Sequence, residues 1–290
     1  MKQLKNILFG VAIEQTFGSL DKQISTVVYD SRKVETNSVF VAIKGDLVDG
    51  HDYIDKAFEL GATVAIVEDQ VNYNHTEITL IRVQDTRIAL AVLADNYYEN
   101  PSRNLELIGI TGTNGKTTVA SLCFELFSQM GYASGLLSTV AIKYGNHKLQ
   151  ATHTTPDPLE INKHLSEMVV LGISHCFMEV SSHGIHQKRI YGLNFRFGVF
   201  TNLTRDHLDY HETFADYRDT KKSFFDMLPK SAFALVNGDD KNAAFMLQNT
   251  KAKKKSFALE NYADYHAQIL EHQFTGMQLK VDSQELWTPM

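Results

Sequence analysis

The chain has 290 residues, 43% of them hydrophobic and 21% charged, with a formal net charge of −6. This length fits one to three domains, two being the natural division, and the composition is that of an ordinary soluble globular protein. An acidic balance argues against holding nucleic acid by phosphate neutralisation, and no run approaches the ~18 apolar residues of a membrane span, so neither partner is expected.

Lys2 and Lys5 precede an apolar run from Ile7 to Ile13, which Glu14 and Gln15 end. No small-x-small cleavage site follows, so the run reads as the first helix or strand of a domain and not as a signal peptide. Val27 to Arg32 reads as a short strand ending in a polar turn. Ser38 to Ile43 is a second strand, stopped by Lys44-Gly45-Asp46. A turn at Asp49-Gly50-His51-Asp52 opens a helix through about Leu60. Further strands are expected at 63–67 and 79–83, and a helix from Thr86 to Tyr98. This alternation indicates an α/β domain. Asn100-Pro101-Ser102 is the candidate linker, because proline bars helix continuation and its neighbours are polar. The expected domains are therefore 1–100 and 101–290.

Leu105 to Ile110 reads as a buried strand, and Val119 to Phe127 carries apolar residues at helical spacing. Between them lies Thr111-Gly112-Thr113-Asn114-Gly115-Lys116-Thr117-Thr118. A glycine-rich turn from strand to helix cradles phosphate, because backbone N–H groups and the helix dipole favour anions there. Gly112 and Gly115 allow close approach, Lys116 suits β/γ phosphates and Thr117 suits Mg²⁺. The match to the general P-loop pattern is imperfect: Ile110 stands where that pattern has its first glycine, and Gly109 is one residue too early.

From here strands are expected at 105–111, 134–140, 175–181, 195–201 and 232–237, with helices near 116–130, 158–171 and 213–228. This is a mostly parallel sheet covered on both faces, where ligands gather beyond the carboxyl ends of the strands. Thr152-His153-Thr154-Thr155-Pro156-Asp157-Pro158 is a donor-rich loop before a helix, readable also as a plain N-cap. Glu179 is a carboxylate inside an apolar strand, so it needs a cation: Mg²⁺ or a basic side chain. Gln187 and Arg189 are placed to hydrogen-bond a polar ligand. Thr201 to His211 packs Asn, Asp and His at a strand end, and His207 there is a candidate for a second Mg²⁺ or for proton transfer. Phe214, Tyr217, Phe224, Phe225 and Leu228 form one helical stripe that Lys221 shares, whereas Lys222 lies about 100° round and is expected to face solvent. An inward lysine must snorkel, pair or be modified. Lys251 to Lys255 reads as a solvated surface, and 262–290 as hairpin-like strands. The two cysteines, Cys123 and Cys176, read as reduced core thiols of a cytoplasmic protein.

These motifs together resemble the Mur ligases, and most closely the MurE type. The resemblance rests on the P-loop, on Glu179-Val180-Ser181-Ser182-His183-Gly184, and on Thr201-Asn202-Leu203-Thr204-Arg205-Asp206-His207-Leu208-Asp209-Tyr210-His211. Asp30-Ser31-Arg32-Lys33-Val34 and the stretch from Gly45 to Gly50 resemble that family's uridine-binding domain. The resemblance implies an ATP-dependent amide ligase that adds a diamino acid (L-lysine or meso-diaminopimelate) to UDP-MurNAc-L-Ala-D-Glu through an acyl phosphate. It implies ATP held by Gly112, Thr113, Asn114, Gly115, Lys116, Thr117 and Thr118, with Lys116, Glu179, His207 and Lys221 as catalytic residues. Thr117 and Glu179 would position one Mg²⁺, and His207 with a carbamylated Lys221 a second. Tyr29, Ser31, Asp46, Leu47 and Val48 would bind the uridine end. His153, which stands where some relatives carry Asn, would join Thr154, Thr155, Ser181, Gln187 and Arg189 on the rest of the substrate. A monomer is expected. The family carries a third, C-terminal domain that this chain is expected to lack. The competing readings are a truncated, non-catalytic ATP/UDP-sugar binding module and another ligase of the superfamily, of the MurF or folylpolyglutamate type. Ser31-Arg32 with the loop from Asp46 to Val48 argues against the folate enzyme.

Overall fold

The computed structural model describes residues 1–45, 48–69, 78–151, 153–206, 210–273, 275–281 and 284–289. It divides into two compact units: residues 1–104 with 156–170 and 187–193, and residues 105–155 with 171–186 and 194–290.

The first unit opens with β1 (Lys2–Gln3) and a single-turn helix α1 (Leu4–Ile7), followed by β2 (Ile13–Phe17), β3 (Gln23–Ile24) and β4 (Val27–Val28). Then come β5 (Ser38–Val41), α2 (Ile54–Glu59), β6 (Ala62–Val67), β7 (Thr79–Val83) and α3 (Thr86–Tyr97). The sheet order is β2-β7-β6-β5-β4, parallel except for β2 at one edge, while β1 and β3 pair separately. Val39, Val41, Val64 and Ile66 point to the face covered by α1 and α3, and Phe40 and Ala65 to the face covered by α2. That is the period-2 alternation of a sheet buried on both sides. α3 starts where the Asp85 carboxylate accepts the Ile88 N–H at 2.9 Å.

The second unit continues with β8 (Glu106–Thr111), α4 (Lys116–Gln129), β9 (Ser134–Leu137), β10 (Ile142–Tyr144) and β11 (His147–Leu149). The helix α5 (Pro158–Val170) belongs to the first unit, where it packs on α3. There follow β12 (His175–Glu179), α6 (Ser182–His186), β13 (Phe195–Phe200), α7 (Phe214–Asp226), β14 (Phe233–Asn237) and α8 (Ala243–Met246). The last strands are β15 (Lys253–Ala258), β16 (Tyr265–Gln273), β17 (Gly276–Val281) and β18 (Gln284–Pro289). Among the described residues the sheet order is β11-β10-β9-β12-β8-β13-β14-β15-β16-β17-β18, with the stretch from β9 to β16 parallel and both ends closed by antiparallel hairpins.

Alternation again sorts the faces. Ile108, Ile110, Leu136 and Phe177 meet Ala120 and the half-buried Val119, Cys123, Phe124 and Phe127 of α4. Gly109 points the other way, where a Cβ would stand 2.6 Å from Phe224 Cζ and 2.7 Å from a Phe195 ring carbon. It is thus a packing glycine that admits α7, which explains why it falls outside the P-loop spacing. β8 lies inside the parallel stretch, flanked by β12 and β13. The chain leaves it towards β9 on one side and later returns to β13 on the other, so the turn after β8 sits at a topological switch point.

The solvated surface read over the lysine-rich run holds for the exposed Lys253 and Lys254, but these lie on β15, a parallel strand that the sequence did not lead one to expect. The strand expected over 134–140 ends at Leu137, because Ser138 turns the chain by accepting the Ala141 N–H. Cys176 is buried, Cys123 is half-buried, and both are free thiols. Among the described residues no helix is long and apolar enough to cross a membrane.

Candidate functional site

The ends of three neighbouring strands are level. Glu179 pairs with Ile110 across β12 and β8, and Phe200 pairs with Thr111 across β13 and β8. The residues just beyond them converge.

Gly112 follows β8 at φ +153°, and a Cβ there would stand 1.9 Å from Thr201 Oγ1, so only glycine fits. Gly115, in the left-handed region, is the N-cap of α4 and offers no side-chain cap; the first turn carries no acidic residue. The N–H groups of that turn and the positive end of the helix are therefore left for an anion. Lys116 curls back over the turn, donating to Gly112 O at 3.0 Å and Thr113 O at 2.9 Å. Burial lowers its pKa, while Glu179 and Asp206 act to raise it.

Glu179 is wholly buried. Its carboxylate accepts Thr117 Oγ1 at 3.0 Å, the Thr139 N–H at 2.8 Å and Thr139 Oγ1 at 3.1 Å. Among the described residues no cationic side chain lies within salt-bridge distance of it. A buried carboxylate facing a P-loop hydroxyl is the oxygen donor set that Mg²⁺ takes, so the residues present fit the ion. Thr139 is a site residue that the sequence reading missed. Its signal is positional: it follows the end of β9, the strand beside β12.

Lys221 is 1% exposed and donates to Gly112 O at 3.0 Å, with its ammonium 4.7 Å from the Tyr217 ring centre. Burial pushes its pKa down to about 7, Lys116 adds to the fall, and Asp206 opposes it. The inward placement read from the stripe holds for Lys221. The solvent-facing placement expected of Lys222 is overturned: Lys222 is 7% exposed and bonds Asp226 at 2.6 and 2.8 Å beside the Phe245 ring. Asp226, one turn on, and Phe245 of α8 cover the position that helical geometry alone would leave open. His207 lies outside the described residues. His211 is buried, with Nδ1 2.9 Å from Asp216 Oδ2.

Thr155 is buried; its hydroxyl donates to Glu179 O and accepts the Ser181 N–H, both at 2.9 Å. Ser181 Oγ accepts the Gly184 N–H at 3.0 Å, His153 is exposed and Thr154 is half-buried.

In the first unit, Ser31 sits buried in a 3-10 turn after β4, a turn that Asp30 starts by accepting the Arg32 N–H. Tyr29 donates to Asp157 Oδ2 at 3.1 Å, and burial together with Asp157 pushes its phenol pKa up. Arg189 donates to Gln187 Oε1 at 3.1 and 2.6 Å. Val48 is exposed, while Asp46 and Leu47 lie outside the described residues. Asp49, His51 and Asp69 bring metal-ligand atoms within 4.8 Å of one another. Both His51 nitrogens are engaged, Nδ1 with Asp49 at 2.6 Å and Nε2 accepting the Glu68 N–H at 3.0 Å, so this group is a hydrogen-bonded brace.

A glycine turn at the switch point of a parallel sheet, with a helix N-terminus open behind it, gives the chain the architecture of the P-loop α/β proteins. The profile described as "Mur ligase middle domain" matches residues 110–287, and that described as "Mur ligase family, catalytic domain" matches residues 23–98. The chain belongs to the Mur ligase family.

It is 44% identical over 286 residues to a UDP-N-acetylmuramoyl-L-alanyl-D-glutamate--2,6-diaminopimelate ligase of Cytophaga hutchinsonii, covering 98% of this chain and 59% of the relative. Identity is 46% over 284 residues to the like-named protein of Phocaeicola vulgatus, with the same coverage. A solved structure of a ligase of that name superposes with a TM-score of 0.82 at 26% identity, covering 99% of this chain and 59% of that one. MurF ligase from Thermotoga maritima, solved in complex with ADP, shares the fold at a TM-score of 0.57 and 21% identity, covering 91% of this chain and 57% of that one. The chain thus spans about three-fifths of the length of these curated relatives.

Proposed function

We propose that the chain carries the UDP-sugar and ATP sites of a MurE-type ligase, which joins a diamino acid to UDP-MurNAc-L-Ala-D-Glu. The observation that carries this reading is the Thr117–Glu179 contact of 3.0 Å beside an uncapped helix N-terminus. The names of the relatives supply the substrate and, with it, diaminopimelate as the added amino acid.

In this reading the first-turn N–H groups of α4 hold phosphate oxygens and Lys116 balances their charge. Thr117 and Glu179 hold Mg²⁺, which when bound neutralises phosphate charge. A substrate carboxylate oxygen attacks the γ-phosphorus, and the bond to the ADP oxygen breaks. The amine then attacks the acyl carbon, and phosphate leaves. The protein contributes positioning and charge compensation.

Lys221 is read as a carbamate. A lysine with a pKa of about 7 is substantially neutral near pH 7–8. Its amine can then attack CO₂, forming N–C and releasing one proton. The product is an anion suited to a metal. Ser31, Tyr29 and Val48, with Asp46 and Leu47, are read as the uridine end; His153, Thr154, Thr155, Ser181, Gln187 and Arg189 are read as peptide and sugar contacts.

Calorimetry tests the division of labour. UDP-MurNAc-dipeptide should bind about tenfold more weakly to Ser31→Ala, the effect of one lost hydrogen bond, while MgATP binding stays unchanged. A parent chain that binds neither ligand would overturn the reading. An unchanged UDP-sugar affinity in the variant would remove Ser31 from it.

A further inference from the structure

We propose that Asn202 is a positioning residue for the nucleotide site, a carboxamide latch that holds the Asn114 peptide and so sets the shape of the P-loop. This rests on the nucleotide reading above.

Asn202 Oδ1 accepts the Asn114 N–H at 3.0 Å, and Asn202 Nδ2 donates to Asn114 O at 3.1 Å. The two bonds fix the amide orientation, since a flipped carboxamide would set donor against donor and acceptor against acceptor. A single side chain thus pairs with both backbone groups of one residue, as a neighbouring strand would. The surroundings reinforce it. Thr201 Oγ1 donates to the same Asn114 carbonyl at 2.7 Å, and the Thr113 N–H donates to Asn202 O at 2.9 Å. Thr113 Oγ1 accepts the Thr204 N–H at 3.0 Å. The missing Cβ of Gly112 is what lets the turn press onto Thr201.

The consequence concerns which donors face the ligand. The Asn114 N–H is engaged with Asn202, so the anion-binding donors begin at Gly115 and continue into α4. The latch also ties the P-loop to the strand end that leads towards His207. Loop shape and that strand end are coupled through this amide together with the Thr201 and Thr113 bonds.

Two variants separate this from general packing. Asn202→Ala removes both bonds. Asn202→Asp is isosteric and keeps an acceptor for the Asn114 N–H, but sets a carboxylate oxygen against Asn114 O and adds charge beside the phosphates. MgADP affinity by calorimetry should fall about tenfold in Asn202→Ala and further in Asn202→Asp. Amide hydrogen exchange at Asn114, followed by NMR without nucleotide, should quicken in Asn202→Ala and stay slow in Asn202→Asp. Unchanged exchange at Asn114 in Asn202→Ala, or parent-like MgADP affinity in both folded variants, would overturn the latch. Failure of the parent to bind MgADP would instead count against the nucleotide reading, with the Asn114 exchange still deciding whether the latch exists.

Discussion

Lys116→Ala is expected to weaken MgATP binding by at least about a hundredfold, because a charge-assisted contact to phosphate is worth about 1.5–3 kcal/mol and the proposed site would set this lysine against more than one phosphate oxygen. The fold should survive. Lys116 donates to two carbonyls of its own turn, and the core beneath α4 is built from Ile108, Ile110, Leu136 and Phe177. Calorimetry with MgATP, alongside thermal unfolding of both proteins, separates the two effects. Equal affinity in variant and parent would sink the P-loop assignment. A large loss of stability would show that the lysine is structural.

Lys221→Ala should abolish the carbamate proposed for the parent. The carbonyl carbon of that group is visible by ¹³C NMR after incubation with ¹³C-bicarbonate and Mg²⁺. The signal should be present in the parent and in Lys222→Ala, and absent in Lys221→Ala. The pH dependence has a fixed sign. The folded pKa of about 7 lies below the ordinary lysine value of 10.5, so the unfolded chain binds more protons between them. Lys221 therefore makes stability rise with pH from about 7 towards 10.5, and below about 7, where both states hold the proton, its contribution is flat. In Lys221→Met that slope should flatten. Lys222→Ala has a different signature: it removes the 2.6 Å pair with Asp226 and should cost about 1 kcal/mol in urea unfolding, without touching the carbamate. A carbamate signal that survives Lys221→Ala, or vanishes in Lys222→Ala, would show that the wrong lysine carries the chemistry.

These residues differ in how legible they are from sequence. Glu179 is legible because a carboxylate amid Cys176, Phe177, Met178 and Val180 has no local explanation and demands a partner. Lys221 is legible because Tyr217 and Phe225 lie four residues either side of it on a buried stripe. Lys222 is not: its cover comes from Asp226 and from the ring of Phe245 on another helix, a contact that periodicity does not encode. β15 hides for a related reason. An outer strand of the parallel stretch needs little apolar alternation, so Lys253 and Lys254 read as a charge run. Asn202 stands inside a motif, yet its work is a pairing with a peptide 88 residues away. Thr139 is legible only once β9 and β12 are known to be neighbours.

Mg²⁺ and nucleotide phosphates are expected to meet at Thr117 and Glu179. The most direct measurement is a crystal structure of the chain grown with Mg²⁺ and a non-hydrolysable ATP analogue. Phosphate oxygens are expected on the N–H groups of residues 115–118, with the ion bound through Thr117 Oγ1 and the Glu179 carboxylate. Phosphates bound elsewhere, or a Glu179 still bonded to Thr117 and Thr139 with the ion at other residues, would contradict this arrangement.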